Sequence, residues 1–330
     1  MKDRVKVALD WCPADQANYP EDSPVVLCLH GIGCSSQGKS VRLLMEECLK
    51  RGWRGVVYNR RGHGGTSIAP ESDEDDDNSS SDIGMDSSLD DSCTSKDEPG
   101  RALAKMFPEH ADVDDMADVV RHIARKHPAA RIVCVGFSLG SNLLLRYLGH
   151  MRERSGIFAG VSIANGFDLV QGTRNLKERS PVMDAIVVSK LKRLVRANSE
   201  HIIRAQRLED QHLQGLMRAR SVRDFDDVIA KPLYGYESVD EYYEQSSCVA
   251  MLKDICSPVL CITDQDDPLI SSDLLKHPLD AGRVNHNLLT VLTRTGGHLG
   301  WLEGWKGKSW VIKACGQYIE AVLAEECPLP

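Results

Sequence analysis

No stretch of the 330-residue chain reaches the ~18 consecutive apolar residues that a membrane-spanning helix requires. The amino terminus, MKDRVKVALDW, puts charges where a secretory signal carries its apolar stretch. Among the 11 cysteines there is no C-x-x-C pair and no close spacing with histidine, and the number is odd. This argues against a zinc site and a disulfide framework. Cys28, Cys134 and Cys261 lie inside apolar runs, where a reduced thiol behaves as a small hydrophobe. A reducing, cytoplasmic compartment is therefore expected, with no metal and no cofactor. Repeats at solenoid periods are absent, and so are nucleic-acid-binding motifs. What remains is 42% apolar and 27% charged, the balance of a soluble globular protein. The length suits one large α/β domain over 1–330.

The formal charge of −8 is unevenly placed. Residues 71–98 hold 12 acidic side chains, eight serines and one lysine, a net of −11, so the remaining chain carries +3. Ile83, Met85 and Leu89 are almost the only large apolar groups there. That is too little burial to offset the entropy of ordering the backbone, and a disordered acidic insert is expected. Residues 173–223 have the opposite bias, with 12 basic and five acidic residues interleaved with aliphatic residues at helical spacing. Net acidity therefore does not describe the surface near a site, and peripheral contact with an anionic membrane stays open.

Apolar, β-branched runs at 25–29, 55–58, 131–135, 158–163, 258–262 and 288–292 read as buried strands. Between them Val113, Met116, Val120 and Ile123 recur on one helical face, with Asp112 as N-cap and Pro128 as stop. A last helix is expected over 309–324. Strand and helix in alternation imply an α/β fold with a mostly parallel sheet flanked by helices. The segment 167–250 is too long for a simple crossover and reads as a helical cap inserted before the last strands. Leu191, Leu194, Val195, Ile202 and Ile203 are its candidate pocket lining, with packing onto the sheet as the alternative.

Ligands of open parallel sheets bind beyond the carboxyl ends of the strands. After the strand at 131–135 the chain reads G-F-S-L-G, with Ser138 in the middle and a helix following. A strand entering a helix through so tight a turn lifts the central hydroxyl above the sheet, and the flanking glycines admit neighbouring backbone. A serine becomes nucleophilic only with a base and a group that orients the base. His298 follows the last strand in T-G-G-H. Asp264, Asp266 and Asp267 follow the strand before it in T-D-Q-D-D-P. Asp267, placed before the turn that re-enters a helix, is the preferred acid, with Asp266 as the close alternative. The oxyanion donors are expected to be the N–H of Leu139, directly after the serine, and that of Ile32 in the loop L-H-G-I-G. His30 reads as a loop-fixing residue, and Cys34 as lining.

With these motifs in hand, the chain resembles the YheT-like, embryogenesis-associated branch of the α/β-hydrolases, which includes the ABHD-type lipases. The resemblance rests on L-D-W at 9–11, L-H-G-I, Y-N-R-R-G-H-G at 58–64, G-F-S-L-G-S-N, the block F-D-D-V to E-Q-S-S at 225–247, D-D-P-L and G-G-H-L-G-W. It implies the α/β-hydrolase fold and a triad of Ser138, Asp267 and His298 that hydrolyses esters of lipids or other acyl chains. Members often carry a further amino-terminal segment before L-D-W. Early strands are accordingly expected to be missing or rebuilt here, and membrane attachment is not carried over.

Two other functions are readable. Acyl transfer to an alcohol has one faint motif, His110-x4-Asp115. A regulatory or interaction protein on a hydrolase scaffold is suggested by Ser72, Ser79, Ser87, Ser88 and Ser95, each with an acidic residue three positions on, a pattern suited to phosphorylation.

Overall fold

The computed structural model describes residues 6–66, 110, 113–199 and 210–325. The acidic insert at 71–98, Asp112, Ile202 and Ile203 lie outside the described residues. Seven strands form one sheet in the order β1-β3-β2-β4-β5-β6-β7. They are β1 (Ala8–Cys12), β2 (Val25–Leu29), β3 (Arg54–Asn59), β4 (Ile132–Phe137), β5 (Ala159–Ile163), β6 (Val259–Asp264) and β7 (Leu288–Thr293). All neighbours are parallel except β1, which pairs antiparallel with β3 through Asp10 opposite Val57. The L-D-W motif thus forms an edge strand of its own.

The helices are α1 (Lys39–Arg51), α2 (Asp114–Lys126), α3 (Leu139–Met151), α4 (Leu169–Arg179), α5 (Pro181–Ala197), α6 (Asp210–Arg218), α7 (Val222–Tyr234), α8 (Val239–Ser246), α9 (Lys276–Val284) and α10 (Trp310–Ala324). Every residue of β2 to β6 is buried, as continuous apolar strands covered on both faces must be. On one face Val26, Cys28, Val133, Val135 and Val161 pack against α1 and α10. On the other, Leu27, Leu29 and Cys134 pack against α2 and α3. α2 buries Met116, Val120 and Ile123, and Asp114 and Asp115 at its start and Arg125 and Lys126 at its end complement its dipole. Its N-cap is Val113.

Helices α4 to α8 form the excursion between β5 and β6, with a core of their own around Leu191, Val195, Leu216, Phe225 and Ile229. Its two ends meet, because Leu169 N–H donates to Ser247 Oγ at 2.8 Å. The Asn142 side chain on α3 ties it to the sheet, donating to Ser246 O at 2.8 Å and accepting from Cys248 N–H at 3.1 Å. The chain passes from β2 to β3 on one side and later reaches β4 on the other. The carboxyl ends of β2 and β4 therefore flank a topological switch point, with Leu29 beside Gly136.

Candidate active site

Ser138 lies between β4 and α3 with φ 53° and ψ −118°, a conformation that side chains rarely adopt and that costs about 1–3 kcal/mol. The neighbouring glycines make the turn fit. A Cβ on Gly140 would stand 2.2 Å from Leu29 O, and one on Gly136 would stand 2.6 Å from Gly140 O. The turn is pinned from below: Ser138 N–H donates to Ile163 O at 2.9 Å, and Ser141 Oγ lies 2.6 Å from Gly136 O while accepting Ile163 N–H at 2.9 Å.

His298 Nε2 lies 3.0 Å from Ser138 Oγ, and His298 Nδ1 lies 2.7 Å from Asp267 Oδ2. In this geometry Nδ1–H donates to the carboxylate, and Nε2 is left to accept from the serine hydroxyl. The other Asp267 oxygen accepts from Leu269 N–H at 2.7 Å and Ile270 N–H at 3.1 Å, which orients the carboxylate from behind. Asp266 is directed elsewhere, its Oδ1 accepting from Gly296 N–H at 2.8 Å and Gly297 N–H at 2.9 Å in the turn that carries His298. Those amide donors, Gly297 first, hold its carboxyl below the usual range. Asp264, at the end of β6, is only 1% exposed. Burial, with the neighbouring Asp266 and Asp267, pushes its carboxyl up to about 7. The two residues the sequence left in competition therefore occupy different places, Asp267 on the imidazole and Asp266 under the glycine turn.

Ile32 and Leu139, the expected oxyanion donors, line one pocket between the sheet and the helical excursion. Leu139 is the first residue of α3, where an N–H has no intrahelical acceptor. The loop carrying Ile32 runs close to the serine: a Cβ on Gly31 would lie 3.2 Å from Ser138 Cβ. His30 is fully buried and fixes that loop, its Nδ1 lying 2.9 Å from Gly31 O and its Nε2 accepting from Arg60 N–H at 3.4 Å. Burial lowers this imidazole to about 4, so it is neutral. Asn59 links β1 to the loop after β2, donating to Asp10 Oδ2 at 2.8 Å and accepting from Ser36 N–H at 3.0 Å.

Leu191 and Leu194 line the pocket as expected, together with Phe225 and Ile229. Val195 instead packs inside the excursion's own core. The polar lining of Arg60, His63, His110 and Asp226 was not singled out from the sequence as pocket residues. The Y-N-R-R-G-H-G motif holds the first two, but burial, which spacing does not encode, is what sets them apart. His63 and His110 are lowered to about 3, chiefly by burial and also by neighbouring charges, Arg60 among them. Asp226 is buried, accepts from Tyr243 O–H at 2.7 Å, and is pushed up to about 7 by burial. The two ends of the His110-x4-Asp115 motif have different surroundings, His110 lining the pocket and Asp115 pairing with Arg61. His110 stacks on Tyr242 at 5.7 Å, and Asp115 accepts a bidentate pair from Arg61 at 2.5 and 2.6 Å.

Four of the twelve basic residues of the segment 173–223 are paired within the chain: Arg174 and Arg223 with Asp240, Lys177 with Asp224, and Arg179 with Asp273. Cys28 and Cys134 are buried with their thiols pushed well up, and burial raises Cys261 to about 12. No helix among the described residues is long and apolar enough to cross a membrane.

Residues 24–304 match the model of a family described as "alpha/beta hydrolase fold". Embryogenesis-associated protein EMB8 of Picea glauca is 27% identical over the whole of this chain and 66% of its own length. A monoacylglycerol lipase of Saccharomyces cerevisiae is 28% identical over 94% of this chain and 62% of its own length. The chain spans less than two thirds of the length of each of these relatives. Among solved structures, the Pyrococcus furiosus esterase Pf2001 superposes with a TM-score of 0.57 at 15% identity, covering 97% of this chain and 87% of that one. That likeness is one of fold.

Proposed function

The chain belongs to the α/β-hydrolase family, and on that premise we propose that it is a serine hydrolase that cleaves acyl esters of lipids through an acyl-enzyme on Ser138. The observation that carries this reading is the hydrogen-bonded chain from Ser138 Oγ through His298 to Asp267, at 3.0 and 2.7 Å. Ser138 Oγ attacks the ester carbonyl while His298 Nε2 takes its proton. Asp267 holds the imidazole tautomer and stabilises the imidazolium that forms. The tetrahedral oxyanion receives the N–H groups of Ile32 and Leu139. It collapses with cleavage of the bond to the alcohol oxygen, which leaves with the proton from His298. Water then attacks the acyl-enzyme, giving up its proton to His298, and the fatty acid is released as Ser138 recovers that proton.

A lipid substrate is supported by the apolar wall of Leu191, Leu194, Phe225 and Ile229, and by relatives named as lipases. Helices α4 to α8 act as a cap that excludes water from the reacting ester. On α5, exposed Val182 and Ile186 adjoin the exposed side chains of Lys190 and Arg193, a combination suited to peripheral contact with an anionic membrane. The buried free cysteines favour a reducing, cytoplasmic setting.

A p-nitrophenyl ester series of increasing chain length, run with the native protein and Ser138→Ala, tests this reading. Turnover is expected to fall at least about a thousandfold in the variant, with longer chains preferred by the native protein. Retention of more than a tenth of the activity by Ser138→Ala contradicts it.

A further inference from the structure

Arg60 is only 6% exposed, yet it lines the pocket that Ile32 and Leu139 share. Among the described residues no carboxylate or carbonyl accepts a hydrogen bond from it. Its neighbour Arg61, by contrast, is paired bidentately with Asp115. A buried cation without a counter-charge is costly and persists where a ligand supplies the missing charge. Its setting is also rigid. Arg60 N–H is held by His30 Nε2 at 3.4 Å, His63 N–H donates to Arg60 O at 2.9 Å, and Asn198 on the excursion donates to Gly62 O at 3.2 Å.

The two histidines beside it are neutral donors or acceptors rather than competing anions. His63 and His110 are uncharged, and His110 Nδ1 is buried without a hydrogen-bond partner among the described residues. The one carboxyl lining the pocket is Asp226, which is bonded to Tyr243 and responds to the charges of Arg223 and Asp184. The pocket thus has an apolar wall of Leu191, Leu194 and Ile229 and a polar group of Arg60, His63 and His110, with the oxyanion donors lining the same space.

From this arrangement we infer that Arg60 is a substrate-binding, specificity-determining residue that receives the phosphate of an acyl ester, so that the preferred substrates are phosphate-bearing glycerolipids rather than neutral acylglycerols. The inference deepens the proposed hydrolase function and rests on it. Since Arg60 lines the same pocket as Ile32 and Leu139, the anion it binds belongs to the molecule whose ester is cleaved. The planar fork of arginine matches two phosphate oxygens at once, which an ammonium does not.

The test compares kcat/KM for 1-hexanoylglycerol and 1-hexanoylglycerol 3-phosphate. Both are kept below micelle-forming concentration so that surface charge does not contribute. The native protein is expected to favour the phosphate by at least about tenfold, the range of a charge-assisted hydrogen bond. In Arg60→Gln that ratio falls to about one, and Arg60→Lys keeps part of it. A native ratio of one or less, or a ratio unchanged in Arg60→Gln, overturns the inference. A second measurement needs no variant. Hexyl phosphate is expected to inhibit p-nitrophenyl butyrate turnover competitively and at least about tenfold more strongly than hexanol, hexanoate or inorganic phosphate. Equal inhibition by hexanol removes the anion site, tighter binding of hexanoate assigns it to the released fatty acid, and equal inhibition by inorganic phosphate assigns it to the free ion; each outcome overturns the proposal. Loss of p-nitrophenyl butyrate turnover in Ser138→Ala, measured alongside, reports on the hydrolase reading separately.

Discussion

Replacing each of the two adjacent aspartates by asparagine separates orientation of the base from support of its loop. Asp267 is deeply placed, its side chain 2% exposed, and it uses both oxygens: Oδ2 faces His298 Nδ1 at 2.7 Å, and Oδ1 accepts from the amides of Leu269 and Ile270. In Asp267→Asn the two backbone donors fix the amide oxygen on their side, which turns the NH₂ toward His298. The imidazole then presents a lone pair at Nδ1 and a proton at Nε2, and it cannot take the proton of Ser138. An imidazole held in the wrong tautomer costs about ten-thousandfold in kcat, roughly 5 kcal/mol of barrier. Asp266→Asn differs, since an amide oxygen still accepts from Gly296 and Gly297. Its kcat is expected to stay within about fivefold of native, the ordinary range for a conservative change away from the reacting atoms. The assay is steady-state hydrolysis of p-nitrophenyl butyrate across pH, with thermal melting to establish that both variants fold. Folded Asp267→Asn with activity within tenfold of native, or folded Asp266→Asn that loses more than about a hundredfold, refutes the assignment of the two carboxylates.

Buried titratable groups predict the pH dependence of stability. His30, His63 and His110 are lowered to about 4, 3 and 3, so the unfolded chain takes up protons below the ordinary imidazole value of ~6.5 that the folded chain refuses. Their stabilisation is present above that value and is lost as pH falls toward 4. Asp226 and Asp264, raised to about 7, act in the opposite sense over the same window, but they are two against three. The net loss from pH 7 to pH 5 is about 1 kcal/mol, so the melting temperature is expected to drop by about two degrees, and by more in Asp226→Asn; a steady rise on acidification contradicts this. Gly140→Ala places a methyl 2.2 Å from the carbonyl oxygen of Leu29 and is expected to cost at least about 3 kcal/mol, read as lost solubility or a strongly lowered melting temperature. A melt within two degrees of native, on the order of 0.5 kcal/mol, rules that out. Asp115→Asn weakens the pair with Arg61, whose side chain is 3% exposed, and is expected to destabilise by about 2 kcal/mol while hydrolysis of p-nitrophenyl butyrate stays within a few-fold. A hundredfold loss of activity at unchanged stability restores the His110-x4-Asp115 motif to the chemistry.

The sheet was legible where burial is total. The runs at 25–29 and 258–262 are nearly continuous in Val, Leu, Ile and Cys because both faces are covered, and all six expected runs became strands within a residue or two of their bounds, β7 included although it is only partly buried. β1 was not legible. A-L-D-W-C is a half-buried edge strand without β-branched residues, and its pairing depends on β3, which lies more than forty residues away in sequence. The positions of Ser138 and His298 were readable because turn chemistry is local: glycine, strand and helix are consecutive in the chain. The choice between Asp266 and Asp267 was not settled, since it depends on which carboxylate faces a turn thirty residues later. Arg60 is the clearest case of missing information. Two adjacent arginines look alike in sequence, and only the fold gives one a carboxylate and the other a pocket.

If Ser138 carries the acyl group, a reagent that traps the activated hydroxyl will mark that residue. The native protein is treated with a fluorophosphonate, digested, and mapped by mass spectrometry. The expected result is one adduct, on the peptide containing Ser138 and at that residue, which is lost in His298→Ala as the hydroxyl loses its base. Labelling at another serine, or undiminished labelling of a folded Ser138→Ala variant, contradicts the account.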